Sequence, residues 1–97
     1  MALKKTYKDE LIALITKYVP HCEMYLFGSR ATDTERTGSD IDIALDAGKP
    51  IPYKTMLKIL VAIDETNIPM KIDLVDLHVA DKALKEVILK EGIKWTN

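Results

Sequence analysis

Residues 40–45 read Asp-Ile-Asp-Ile-Ala-Leu, and this alternation constrains the fold more than any other stretch. Successive side chains of a strand point to opposite faces. Ile41, Ile43 and Leu45 therefore form an apolar face, and Asp40 and Asp42 must project together from the other side. Their Cα atoms stand about 6 to 7 Å apart at ordinary strand rise. Two carboxylates held that close repel, and neither stays ionised cheaply without a cation. Oxygen-only ligands favour a hard cation, most naturally Mg²⁺. Taken alone, such a pair is more often a wetted strand face, since one face of a sheet is commonly in water. Its meaning depends on what accompanies it.

The surrounding sequence supplies a small sheet and helices to cover it. Residues 6–19 carry Leu11, Ile12, Leu14, Ile15, Tyr18 and Val19 at helical spacing. Thr6 and Asp9 resemble a capping box at the start of this helix, and Pro20 ends it. Residues 23–27, Glu-Met-Tyr-Leu-Phe, form a short apolar run closed by Gly28 and read as a strand. After the strand at 40–45 comes a loop, then a helix with Pro52 in its first turn. Tyr53, Met56, Leu57, Leu60 and Ile63 make its apolar stripe. Residues 70–77 form a third strand, and Asp81 can cap a last helix with Leu84, Val87 and Ile88 inward and Gly92 as its stop. Residues 93–97 add a short strand or tail. The predicted fold class is α/β (α+β): helices packed on a small mixed sheet, the second and third strands parallel because a helix separates them.

Ninety-seven residues fit one domain spanning 1–97. With 47% hydrophobic and 30% charged residues, the chain reads as globular. Its formal net charge of −1 argues against a long polynucleotide as main partner. Apolar runs are far below the roughly 20 residues that span a bilayer, and no secretory segment is evident. Cys22 is the single cysteine and reads as a small core residue in a reducing compartment, so a cytoplasmic location is expected.

Asp73 offers a third carboxylate. It alternates with Ile72 and Leu74 and so faces away from the core of its own strand. If strands 40–45 and 70–75 are neighbours, one face presents Asp40, Asp42 and Asp73 together. Three carboxylates around two metal ions suit nucleotidyl transfer. Asp76 has the opposite parity and stands outside this set. A phosphate site is also available: Gly28 lets an anion approach the backbone, and exposed amides and the Ser29 hydroxyl can bond its oxygens. Arg30 stands where it can bind phosphate or remain a surface charge. Arg36 and Lys71 read as solvent-facing charges.

Gly28-Ser29, ten residues, then Asp40-Ile41-Asp42 reproduces the G-S-x10-D-x-D signature. With Leu-Phe-Gly-Ser-Arg-Ala before the polar loop, Ser39 through Leu45 after it, and a third aspartate in Ile-Asp-Leu-Val-Asp, the whole chain resembles the polymerase-β-like nucleotidyltransferases. The resemblance is greatest to the minimal nucleotidyltransferases of the MNT antitoxin group. It implies that Asp40, Asp42 and Asp73 are catalytic and bind two Mg²⁺ ions, with Asp73 also helping to activate the acceptor hydroxyl. It further implies that Gly28, Ser29, Arg30 and Ser39 line the nucleotide and phosphate site for ATP. The reaction implied is transfer of AMP to a hydroxyl of a partner HEPN-domain toxin, a tyrosine near its active site, in a hetero-oligomer. Asp33 departs from the pattern, since related loops often carry a second glycine there.

Length points the same way. One sheet and three helices use up the chain, so the acceptor is expected on another polypeptide. The competing expectations are an antitoxin that neutralises its partner by complex formation with little or no catalysis, and a nucleotidyltransferase acting on a small molecule. The second would call for additional substrate-binding structure.

Overall fold

The computed structural model describes residues 5–28 and 40–95. Elements follow in the order α1 (Lys5–Tyr18), β1 (Glu23–Phe27), β2 (Ile41–Asp46), α2 (Tyr53–Asp64), β3 (Ile72–Asp76), α3 (Lys82–Glu91) and β4 (Ile93–Lys94). The strands form one mixed sheet of order β3-β2-β1-β4. β2 runs parallel to β3 and antiparallel to β1, and β4 is antiparallel to β1. The parallel pair expected across α2 is present. The alternation of residues 41–45 sets the register: Ile41, Ile43 and Leu45 are fully buried.

The sheet's two faces carry different cores. Ile41, Ile43, Leu45, Met24, Leu26 and Ile72 pack with Leu11 and Ile15 of α1 and Ile59 and Ile63 of α2. On the other face Ala44, Tyr25, Phe27, Val75 and Leu77 meet Leu84 and Ile88 of α3. The larger core gathers more than ten buried side chains, so it dominates stability at about 25 cal/mol per Å² of apolar surface removed from water.

Four local expectations need correction. Thr6 is not an N-cap: Lys5 is already helical, and Asp9 instead pairs with the Lys5 ammonium at 2.9 Å. Pro52 is the N-cap of α2 and not a first-turn residue. Along α2, Ile59 and Ile63 take the buried line, while Tyr53, Leu57 and Leu60 lie outside it with exposed side chains. On α3, Ile88 is fully buried and Val87, about 100° around the helix, is 45% exposed. On α3 the pattern located the apolar side and overstated its width; on α2 it missed Ile59, which is fully buried, and of the expected stripe only Met56 and Ile63 are covered. The Asp81 cap holds, its carboxylate accepting the Leu84 N–H at 2.8 Å, and Gly92 is the C-cap.

Asp76 has a structural task. Its carboxylate accepts the Ile51 N–H at 2.7 Å and the His78 N–H at 2.9 Å, fixing the approach to α2 and the turn after β3. Asp76→Ala should cost about 1–3 kcal/mol in urea unfolding by stranding these donors, with little effect on chemistry at the acid pair described below. Cys22 is buried, and desolvation pushes its thiol up to about 11. A thiol reagent at pH 8 should label the folded protein about 10²-fold more slowly than the unfolded chain. Comparable rates would remove Cys22 from the core.

Candidate active site

The open part of the α3 face begins where β1 ends and β2 and β3 begin. Phe27 is in register with Asp42, and Asp42 is in register with Asp73. Cross-strand partners share a face, so Phe27, Asp42 and Asp73 form a row across three strands. The next row is Tyr25, Ala44 and Val75, which α3 covers. Asp42 is partly buried, and the Asp73 side chain remains 42% exposed. Asp40 is exposed and immediately precedes β2.

Crowding of acids is visible in the chemistry of Asp42. Its carboxyl is raised above the ordinary carboxylate range, first by burial, then by the charges of Asp73 and Asp40, and by a hydrogen bond with Asp73. A cation at this point would reverse the two charge effects. The donors are all oxygen, which suits a hard divalent cation. Among the described residues, no three ligating side chains gather around a single point. Asp42 and Asp73 form the pair, and Asp40 borders it within electrostatic reach of Asp42.

Gly28 closes the site from the β1 side. It adopts φ +75°, a left-handed conformation that glycine enters without steric cost. A Cβ built there would run into the Asp42 carboxylate. The backbone at the end of β1 and the acid on β2 are therefore as close as a glycine permits. Ser29, Arg30, Asp33 and Ser39 lie outside the described residues. Of the acids expected to converge, Asp42 and Asp73 do so directly and Asp40 stands at the border. Asp76 is excluded, as its parity required.

One neighbour escaped the sequence reading. Lys71 is solvent-facing as expected, its side chain 72% exposed, but its Nζ also lies 3.7 Å from Asp73 Oδ1. The available signal was spacing: Lys71 precedes Asp73 by two residues and so shares its face.

A strand pair presenting two carboxylates, with a backbone glycine pressed against one of them, is suited to holding a phosphate chain and a divalent cation. Comparison with known proteins agrees with that chemistry. The model of the polymerase beta nucleotidyltransferase family matches residues 9–95. The chain is 26% identical over 87 residues to a Haemophilus influenzae protein described as a probable protein adenylyltransferase, MntA, covering 86% of this chain and 76% of that protein. It superposes on a crystal structure of a toxin-antitoxin with AMP-PNP at TM-score 0.79, with 27% identity, 93% of this chain and 73% of that one. A structure of tri-AMPylated Shewanella oneidensis HEPN toxin in complex with MNT antitoxin matches at TM-score 0.69, with 26% identity, 98% of this chain and 74% of that one. Fold, acid pair and family match converge: the chain belongs to the polymerase beta nucleotidyltransferase family.

Proposed function

We propose that this nucleotidyltransferase is the antitoxin of a toxin–antitoxin pair and transfers AMP from ATP to a tyrosine hydroxyl of a HEPN-domain partner. The observation that carries the reading is the Asp42–Asp73 pair in register on an open sheet face, with Gly28 against it. Similarity to a MntA protein and to complexes of MNT antitoxin with HEPN toxin supports the partner and the donor nucleotide.

In this reading Asp40, Asp42 and Asp73 hold Mg²⁺, which when bound neutralises the triphosphate and lowers the pKa of the acceptor hydroxyl. The acceptor oxygen forms a bond to the α-phosphorus of ATP, and the bond from that phosphorus to the bridging oxygen breaks, releasing pyrophosphate. Asp73, whose side chain is 42% exposed on the edge strand β3, takes the hydroxyl proton. Gly28 admits the triphosphate close to the backbone. Ser29, Arg30 and Ser39 are assigned to its oxygens from the sequence motif. Phe27 stands beside Asp42 in the row and packs against the core under α3.

Incubation of this chain and its HEPN partner with ATP labelled at either the α- or the γ-phosphate tests the bond that breaks. Label should enter the partner from the α position only, and only with Mg²⁺ present. Entry of γ-label would replace this reading with phosphoryl transfer.

A further inference from the structure

Lys71 occupies a corner of the acid cluster. Its backbone carbonyl accepts the Ile41 N–H at 2.8 Å, which continues the β2–β3 ladder by one residue and sets Lys71 level with Asp40. Asp40, Asp42, Asp73 and Lys71 thus stand at four corners of a quadrangle on one sheet face, three carboxylates and one ammonium. The Lys71 side chain is 72% exposed, and its Nζ reaches Asp73 Oδ1 at 3.7 Å. An ammonium so exposed, in a pair this long, can leave Asp73 at little cost.

We propose that Lys71 is a resident cation that disfavours binding of a bare divalent metal and thereby couples metal loading to nucleotide binding. The inference rests on reading the acids as a metal site. A divalent ion arriving alone at Asp42 and Asp73 meets a positive charge a few ångströms away and must displace it from Asp73. An ion arriving with a triphosphate brings its own compensating negative charge, and the ammonium then attracts the phosphate oxygens. Lys71 therefore opposes the first event and not the second. It is a positioning residue, acting through Asp73 and the local field.

Calorimetric titration of Mn²⁺ into the nucleotide-free full chain separates these cases. A unit charge about 5 Å from a divalent ion in solvent, screened by physiological salt, corresponds to roughly a three- to fivefold change in affinity. Lys71→Met should bind bare Mn²⁺ tighter by about that factor, while its affinity for the Mg²⁺ complex of a non-hydrolysable ATP analogue stays equal or falls. Lys71→Arg, which keeps the charge, and Lys58→Met, which removes an exposed charge from α2, should match the wild type. If Lys71→Met binds bare Mn²⁺ no tighter while Asp73→Asn abolishes binding, the role of Lys71 is refuted and the metal site stands. Equal tightening in Lys58→Met would also refute it, as an effect of net charge. If neither the wild type nor Lys71→Met takes up Mn²⁺ and Asp73→Asn leaves binding of the Mg²⁺–analogue complex unchanged, the metal site falls and this inference falls with it.

Discussion

Asp42→Asn is expected to reduce AMP transfer to the partner by at least about 10²-fold, the scale of losing one charged group that stabilises a developing transition state. The same substitution should leave the fold intact and raise its stability in metal-free buffer. Asparagine keeps the shape of the side chain but carries no charge to hold a cation. The gain in stability follows from the raised carboxyl of Asp42. A raised pKa means that the folded protein binds this proton more tightly than the unfolded chain does. Above that value the ionised carboxylate destabilises the fold, and the penalty fades as pH falls through it toward the ordinary carboxylate range. Asp42→Asn removes the penalty at neutral pH, so its melting temperature should exceed the wild type's and depend less on pH between those limits. Functional sites commonly keep such costs in exchange for chemistry. Parallel loss of activity and stability would instead make Asp42 a structural residue. If Asp42→Asn abolishes transfer but still neutralises the partner, silencing comes from complex formation.

Gly28→Ala is the second change with a large expected effect, and it acts through two separable causes. The left-handed backbone at φ +75° costs a residue with a Cβ roughly 1–2 kcal/mol. The new Cβ would also collide with the Asp42 carboxylate and push it off its position facing Asp73. Displacing a catalytic group by about 1 Å costs about 10² in rate. Gly28→Asn distinguishes the two causes, because asparagine tolerates the left-handed region better than alanine but still carries a Cβ. Its urea midpoint should lie between those of the wild type and Gly28→Ala, while its transfer rate should be as poor as that of alanine. Full activity in either variant would show that the close approach of Gly28 to Asp42 is dispensable.

Much of this arrangement was legible in the sequence because strand periodicity is unforgiving. A one-residue slip would bury Asp42 among the helices of the larger core, so alternation alone assigns the face of Asp40, Asp42 and Asp73 and excludes Asp76. The parallel pairing of β2 with β3 was legible from the helix between them. Helix faces were less so, since a 3.6-residue period tolerates a wide apolar stripe and only tertiary packing decides how much is covered. Leu57, Leu60 and Val87 show this. Lys71 was missed for a different reason. Its spacing two residues before Asp73 puts both on one face, but a lysine on a wetted strand face is the ordinary outcome, so that spacing singles out nothing by itself. The work of Asp76 was likewise invisible, because the Ile51 N–H reaches it across 25 residues of sequence.

The most direct test of the central claim is the intact mass of the HEPN partner after incubation with this chain, ATP and Mg²⁺. A gain of one or more AMP units on a tyrosine is expected with the wild-type chain, and none with Asp42→Asn or without Mg²⁺. A partner of unchanged mass under saturating ATP, in a complex with the wild-type chain that still silences the toxin, would contradict it.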